Sequence, residues 1–415
     1  MNDMMRDSRA DCRPVVFMLS GGMRLVCCPA VSPAEYFGVA VNAGSRDEQP
    51  GEYGLAHFVE HTIFKGTARR RPHHIINRME SVGGELNAFT SKEETYVYSA
   101  FPAGNLPRAM ELVADLMQNS VFPAAELDRE RSVVGEEIDA CLDTPAERVY
   151  DDFEDMVFAG SQLGHNILGS ADTLAGFSSE GCRRWIERNY TAGRMTAFYY
   201  GAVAPARVCR ALERLFGDVR CGASPRRTAP APVAVFGERR RVDSHQANTV
   251  VGARVGGIYS PDRHALALVV NILGGPGMNS RLNVALRERR GLVYSVEASL
   301  TRFTDCGLFT VYYGCDPADN DRCLELVRTQ LRVIAERPLT PAALRAAKKQ
   351  FLGQVQLSAV NVEQTVMNAA RSVMFRGEVA PAEELVRRVE AVTADDVMRV
   401  AADLRPECCS WLTLG

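Results

Sequence analysis

The sequence predicts an α+β fold made of two related α/β sandwich domains. Short strand-like runs and long helical patterns are mixed without regular βαβ alternation, which favours a mixed, largely antiparallel sheet with helices on one face. The 415 residues are more than one ordinary hydrophobic core organises. A segment rich in Pro, Ala, Ser and Arg, residues 221–235, divides the chain almost equally and is typical of an exposed linker.

Individual elements follow from residue patterning. Runs rich in β-branched and aromatic residues predict strands over residues 15–19, 36–41, 95–101, 249–253 and 307–313. Apolar residues at helical spacing predict helices over residues 106–118 and 319–334. The same coarse pattern therefore occurs on both sides of the central segment.

The pentapeptide 57–61 has the residue set of a zinc hydrolase. Residues four apart are neighbours on one face of a helix, so His57 and His61 can reach one metal ion while Glu60 borders the same space. Two imidazoles and a third protein ligand suit Zn²⁺, and the fourth position is left to a water whose pKa the metal lowers. A carboxylate that is not a ligand can act as general base, and here its order is the inverted H-x-x-E-H. The alternative is a buried amphipathic helix whose two histidines make ordinary polar contacts.

A third ligand is expected from residues 128–138, which are predicted as helix. Glu130 and Glu137 are seven residues apart, so they lie two turns apart on nearly the same face. One carboxylate can bind the metal while the other fixes the tautomer and orientation of a histidine ligand. The alternative is that this acidic helix is simply a solvated surface.

The two halves are interpreted as distant copies. Residues 56–61 align with residues 265–270, where apolar side chains replace both histidines and the glutamate. Metal chemistry is therefore expected in the first half only. The predicted boundaries are an N-terminal zinc-bearing domain over residues 1–220, the linker over residues 221–235, and a C-terminal domain without metal ligands over residues 236–415.

The first half resembles the pitrilysin, insulinase and mitochondrial-processing-peptidase family of inverted zincins, most closely its short bacterial members. The stretches that carry the resemblance occur in the family's order and spacing: residues 54–61, 64–67, 83–90 and 130–137. The resemblance implies that the two domains form a clamshell around a cleft. It also implies one Zn²⁺ per chain and the hydrolysis of peptides.

The resemblance further assigns a role to each matching residue. These residues are the zinc ligands His57, His61 and Glu137, the catalytic base Glu60, the ligand-orienting carboxylate Glu130, and the substrate contacts Asn87 and Ala88. Glu136 is the less favoured ligand, because the family places the ligand seven residues after the position of Glu130. Asn87 is expected as a buried amide that presents both a donor and an acceptor to a peptide group.

Two segments of the second half acquire a functional interpretation from the same resemblance. The glycine-rich residues 274–282 lack the Lys-Ser/Thr end of a phosphate-binding loop. They resemble a flexible loop that contacts substrate, here through Gly274, Gly275 and Gly277, although Pro276 departs from the commonest form. Arg287 and Tyr294 match an arginine that can hold a substrate carbonyl and a tyrosine that can donate to the oxyanion.

Composition bounds the partners. A net charge of −3 with both signs mixed argues against a nucleic-acid partner. No apolar run reaches the roughly 18 residues of a membrane helix, so no membrane association is expected. The arginine runs 69–71 and 239–241 are interpreted as solvated, with attraction of acidic substrate segments as the alternative.

Twelve cysteines without C-x-x-C spacing are interpreted as reduced thiols. Residues 1–13 are polar, without the apolar core of a signal peptide, so a bacterial cytoplasm is expected. An organellar presequence is less favoured, because Asp3, Asp7 and Asp11 are atypical of acid-poor targeting segments.

Two functions remain open at this stage. The first is a zinc metalloendopeptidase that takes peptides or unfolded polypeptide segments into an enclosed chamber. The second is a catalytically silent core or assembly subunit of a processing-peptidase-like complex. Silent relatives lack part of the zinc set, which is complete here. Because one chain carries both the metal motif and the arginine-tyrosine pair, a homodimer is favoured over a heterodimer with a diverged family member.

Overall fold

The computed structural model describes residues 13–415, so the polar segment used above to infer the compartment lies almost entirely outside the described residues. The strands are β1 (Val15–Met18), β2 (Arg24–Pro29), β3 (Ala34–Val41), β4 (Glu85–Thr90), β5 (Thr95–Pro102), β6 (Met195–Gly201), β7 (Gly237–Arg240), β8 (Ala247–Val255), β9 (Val293–Arg302), β10 (Gly307–Cys315) and β11 (Ser410–Leu414).

The α-helices lie between and after these strands. They are α1 (Leu55–Thr62), α2 (Pro72–Glu80), α3 (Leu106–Asn119), α4 (Ala124–Leu142), α5 (Pro145–Val157), α6 (Ala171–Ala175), α7 (Ser179–Asn189), α8 (Pro205–Phe216), α9 (Arg263–Gly274), α10 (Asn320–Glu336), α11 (Pro341–Ser358), α12 (Val362–Arg376), α13 (Ala382–Ala391) and α14 (Ala394–Ala401). The 3₁₀ turns are Ser45–Asp47, Ala192–Arg194, Pro317–Asp319, Ala402–Leu404 and Pro406–Cys408, and Asn283–Glu288 is a π-helix.

The predicted elements are confirmed. Strands β1, β3, β5, β8 and β10 and helices α3 and α10 match the predicted runs to within two residues at each end. The segment with the two histidines forms α1, and its apolar counterpart in the second half lies within α9. The two aligned segments therefore both fold as α-helices.

Each half of the chain contributes one mixed, largely antiparallel sheet, as predicted. The first sheet has the order β1-β2-β6-β3-β5-β4, in which only β2 and β6 run parallel. The second has the order β7-β11-β8-β10-β9, in which only β7 and β11 run parallel. This arrangement confirms an α+β protein with two α/β domains.

The compact units differ from the linear division that the sequence suggests. Of the described residues, the first unit comprises 13–136, 167–227 and 359–381, and the second comprises 137–166, 228–358 and 382–415. Each sheet thus takes one segment from the opposite half of the sequence. The division at the linker describes the order of the sheets but not the composition of the packed units.

In the first unit, the segment that comes from the other half of the sequence, residues 359–381, covers the second face of the sheet. Apolar residues of α12, among them Val366, Ala370 and Val373, pack with Ala40 and Phe198 of the strands. Strand residues of the opposite parity are also fully buried, so both faces of this sheet are covered. The helices are therefore not confined to one face.

The second unit repeats this arrangement with α5. Val149 and Phe153 of α5 pack with Val250, Leu308 and Leu412 of the sheet. Residues of the opposite parity in β8 and β10 face a separate core with α9, α10 and α14. A helix pattern shows that one side is apolar but does not show which sheet it covers, so this exchange could not be predicted.

Residues 221–236 form no helix or strand, and most of them are at least partly exposed, but the Arg227 side chain is buried. Only 5% of the Arg227 side chain is accessible, and its guanidinium donates to Asp47 Oδ2 at 2.7 Å. It also lies 3.6 Å from Glu93 Oε1, which pairs with the fully buried Arg46 at 2.6 Å. The linker is thus fastened to the first unit at this residue.

Each arginine run contains residues that pair with acidic side chains. Arg70 pairs with Glu111 and Asp115. Arg239 pairs with Asp321, and Arg240 pairs with Asp152 and Glu238. Arg69, Arg71, Arg239 and Arg241 are exposed, so most of each run is solvated, as expected.

In the described part of the chain, no helix combines the length and apolar character of a membrane span. The eleven cysteines of residues 13–415 are all free thiols.

Candidate metal centre

Helix α1 is placed by a buried glutamate and a left-handed glycine. Glu48 accepts hydrogen bonds from the backbone N–H groups of Gly54 at 2.9 Å and Ala56 at 2.7 Å, which are otherwise unsatisfied at a helix start. Gly54 has φ 97°, and a Cβ there would lie 2.6 Å from the Leu168 carbonyl oxygen. The helix that carries the histidines therefore begins at a fixed point.

The two histidines lie on one face of α1. Their ring centroids are 4.5 Å apart, with the rings steeply inclined to each other. Burial, with a smaller contribution from His61, lowers the pKa of His57 to about 4. His57 is therefore a neutral imidazole at pH 7, the form that binds a metal.

Glu130 on α4 reaches across to the second histidine. Its Oε1 lies 3.3 Å from His61 Nδ1, and its Oε2 lies 2.7 Å from Lys65 Nζ. A carboxylate at Nδ1 favours the tautomer with the proton on that nitrogen, which leaves Nε2 as the ligand atom. The Glu130 side chain is 8% exposed, so it holds the ring from a largely buried position.

Glu137 completes a cluster with both histidines. One ligand atom from each of His57, His61 and Glu137 lies within 4.8 Å of the others, and no other group of this kind occurs among the described residues. All three are supplied by two helices, α1 and α4. Glu136, one residue earlier, is not part of the cluster.

The donor set fits zinc. Two imidazole nitrogens and one carboxylate oxygen are the protein ligands of a catalytic zinc site, which keeps one position open. The mixed exposure of the three residues agrees with such a site, because His57 is buried, His61 is intermediate and Glu137 is exposed. A purely structural zinc site would use four protein ligands.

Glu60 lies on the same helix and is partly buried. Tyr190, at the end of α7, is near it, and burial together with the Glu60 carboxylate raises the pKa of this phenol. Tyr190, Glu48 and Lys65 are not among the residues predicted for the site from the sequence. Lys65 lies within a stretch that carries the family resemblance, whereas Glu48 and Tyr190 have no sequence signal beyond residue type.

Asn87 and Ala88 lie on β4, the edge strand of the first sheet. Among the described strands, β4 pairs only with β5, in a register that places Asn87 opposite Tyr98 and Ala88 opposite Val97. Helix α1 packs against this strand. The Asn87 side chain is exposed, which differs from the buried amide expected above, because alternate residues of this edge strand face solvent.

The second unit gathers the remaining candidate residues around one cavity. Its volume is about 370 Å³, and its lining includes Gly274, Gly275, Gly277, Arg287 and Tyr294. Arg287 belongs to the π-helix and Tyr294 to β9, the edge strand of the second sheet. Tyr294 is 76% exposed, so its hydroxyl is accessible to a ligand.

Close packing accounts for the glycines of this loop. A Cβ on Gly274 would lie 2.5 Å from the backbone nitrogen of Ala298 on β9. A Cβ on Gly277 would lie 2.5 Å from Asn279 Oδ1 and 2.6 Å from Gln350 Nε2. Glycine is therefore required here by local geometry, whether or not the loop contacts substrate.

Comparisons with known proteins identify the family of this chain. Residues 30–171 match the family described as Insulinase (Peptidase family M16), and residues 177–351 match the Peptidase M16 inactive domain. An uncharacterized zinc protease of Streptomyces coelicolor is 33% identical over 93% of this chain and 86% of its own length. The chain belongs to peptidase family M16, which confirms the resemblance to the insulinase family and its short bacterial members.

Two further relatives align over most of this chain and over most of their own length. An uncharacterized zinc protease of Mycobacterium tuberculosis is 34% identical over 96% of this chain and 92% of its own length. The uncharacterized zinc protease YmxG of Bacillus subtilis is 29% identical, with 89% of this chain and 90% of the relative aligned.

Among solved structures, a protease from Helicobacter pylori has a TM-score of 0.89 at 19% identity, covering 98% of this chain and 100% of that one. A peptidase M16 inactive domain from Pseudomonas fluorescens has a TM-score of 0.88 at 18% identity, covering 97% of both chains. These likenesses establish a common fold.

Proposed function

We propose that this protein is a zinc-dependent metalloendopeptidase that hydrolyses peptides or unfolded polypeptide segments in an enclosed chamber. The observation that carries the proposal is the cluster of His57, His61 and Glu137 within 4.8 Å. The family supports a protease, and the names of the relatives support zinc. One zinc ion is proposed per chain, held by these three residues.

Bound zinc would lower the pKa of a water in its open position and polarise the scissile carbonyl. Glu60, one residue before His61, would accept the proton of the attacking water and pass it to the leaving amine. Glu130 would keep the His61 ring oriented, through the contact at 3.3 Å. The neutral His57 needs to lose no proton in order to act as a ligand.

The open edge of β4 supports a mode of substrate binding. An extended peptide can add to an exposed sheet edge through backbone hydrogen bonds. Asn87 and Ala88 lie on that edge strand, against which α1 packs. We therefore propose that the substrate backbone pairs with β4 and that the exposed Asn87 amide contacts a peptide group.

Arg287 and Tyr294 are proposed to act on the bound substrate. A guanidinium can hold a substrate carbonyl, and the exposed Tyr294 hydroxyl can donate to the oxyanion that develops in the transition state. The glycines at 274, 275 and 277, which line the same cavity, are proposed to contact the peptide backbone.

The alternative function is a silent assembly subunit, for which the metal set would have no use. The completeness of the ligand set and of the Glu60 position favours the enzyme. A homodimer in a bacterial cytoplasm is proposed as the working form, and the free cysteines of the described range agree with a reducing compartment.

The proposal is tested by incubating purified protein with peptides of graded length, with and without a chelator, and mapping the cuts by mass spectrometry. We expect cleavage that the chelator abolishes and that stoichiometric zinc restores. Cleavage that survives complete removal of zinc would contradict the metal mechanism. A fully zinc-loaded protein that cuts no peptide would favour the silent subunit.

A further inference from the structure

A second cavity of the second unit lies beside the glycine-rich loop. Its volume is about 270 Å³, and it lies among α9, α11 and residues 279–281 at the end of the loop. Ser280 lines both this cavity and the one that contains Arg287 and Tyr294. The two cavities therefore share a wall.

Among residues 13–415, Arg281 is the only charged residue that lines this cavity. Its Nη1 is shielded from solvent and has no hydrogen-bond partner, and no described residue forms an ion pair with its guanidinium. Burial alone lowers the pKa of Arg281, with no neighbouring carboxylate to oppose the effect. Other buried arginines of the chain, such as Arg46 and Arg227, are paired with acidic side chains. A partly buried cation without a counter-charge is costly, so this site favours an anion.

The neutral lining supplies further donors. Ser280 is 5% exposed, and its hydroxyl also lacks a hydrogen-bond partner among the described residues. The side-chain amides of Asn279 and Gln350 bond to each other in both directions, each at 3.0 Å, and a Cβ on Gly277 would collide with both. This amide pair thus fixes the end of the glycine-rich loop against α11. Small apolar residues of α11, such as Ala343 and Ala347, form another part of the wall.

We propose that this cavity, which we name the Arg281 cavity, binds a small molecule through an oxyanion, either a carboxylate or a phosphate. The guanidinium would donate to the oxyanion from Nη1, and the Ser280 hydroxyl would donate alongside it. The volume leaves room for a small organic body beside the anionic group. Because Ser280 belongs to the wall shared with the Arg287 and Tyr294 cavity, a bound anion stiffens the loop on the side proposed for substrate.

The test is isothermal titration of the zinc-loaded protein with inorganic phosphate and, separately, with acetate, at constant ionic strength set with chloride. We expect saturable binding of at least one of the two, and the tighter one identifies the class of anion. Arg281→Gln keeps a polar side chain but removes the charge, and should weaken this binding about tenfold or more. Arg345→Gln, at an exposed arginine of α11, makes the same change in net charge and should leave the binding unchanged.

The comparison of the wild type with Arg281→Gln also distinguishes anion binding in the Arg281 cavity from anion binding at the zinc ion, because this substitution leaves the zinc ligands intact. Should that variant fold poorly, Arg281→Lys and Ser280→Ala provide the test, and each should lower the affinity for the anion several-fold. Equal binding by the wild type and the Arg281 variants would overturn the proposal, and so would the absence of saturable binding of both anions. Neither outcome depends on peptidase activity, so the proposed function is judged separately.

Discussion

Replacing Glu130 by Gln should weaken zinc binding without removing a zinc ligand. The wild-type carboxylate accepts from His61 Nδ1 at 3.3 Å and pairs with Lys65 Nζ at 2.7 Å. A Gln amide has the same shape but only one acceptor oxygen. If that oxygen faces the imidazole, the amide NH₂ faces the ammonium group, and the reverse orientation loses the contact with His61.

The size of the effect follows from these two contacts. The Lys65 side chain is 30% exposed, so water screens its pair and most of the loss comes from the contact with His61. Outer carboxylates of this kind are worth about 10- to 100-fold in metal affinity. This range corresponds to about 1.4 to 2.7 kcal/mol of zinc-binding free energy.

The assay is a competition titration of zinc against a chromophoric chelator, with Glu136→Gln as the matched control. Glu136 is an exposed residue of the same helix and lies outside the metal cluster, so the control should bind zinc like the wild type. A Glu130→Gln protein whose zinc affinity stays within twofold of the wild type would refute the orienting role. An equal loss in the control would point to the helix as a whole.

The remaining predictions address the base, the third ligand, the second unit and the linker. Glu60→Gln should retain zinc but lower the hydrolysis rate about 10²- to 10⁴-fold, measured with a fluorogenic peptide, because an amide cannot accept the proton of the water; near-normal activity would reject Glu60 as base. Glu137→Gln should lose most of its zinc on dialysis while Glu136→Gln retains it, and the opposite result would place the ligand one residue earlier. Tyr294→Phe should lower kcat about 10- to 1000-fold with a smaller change in KM and unchanged zinc content, and an unaltered kcat would remove this tyrosine from the chemistry. Arg227→Met should lower the free energy of unfolding of the first unit by about 3 kcal/mol, measured by urea denaturation, because Asp47 would be left buried without its cation. The control Arg226→Met, at an exposed arginine, should have little effect.

Much of the metal centre could be predicted from the sequence, because its geometry depends on residues that are close together along the chain. Residues four apart on a helix share a face, so His57 and His61 had to converge once α1 formed. The spacing of Glu130 and Glu137 likewise placed both on one side of α4, and the family resemblance assigned their roles. The structure places Glu137 in the cluster with the histidines and Glu130 beside His61, while their roles in catalysis remain predictions.

Contacts between segments that are distant in the sequence could not be predicted in this way. No pattern in the sequence distinguishes Glu48, which accepts hydrogen bonds at the start of α1, from any exposed glutamate. Arg227 belongs to a polar, proline-rich segment, yet its side chain is buried against Asp47. The absence of a partner for Arg281 is a property of the folded surroundings, and a sequence can only show that an arginine is present.

The sequence by itself determined the elements, the two related sheets and the residue types of the metal set, because these depend on periodicity and short spacing. The tertiary structure decided that α1 and α4 come together and that α5 and α12 each pack on a sheet with the other half's strands. The physical reason is that an amphipathic pattern shows which side of a helix is apolar but not which surface covers it. The partner of a helix is settled only when the whole chain buries its apolar faces together.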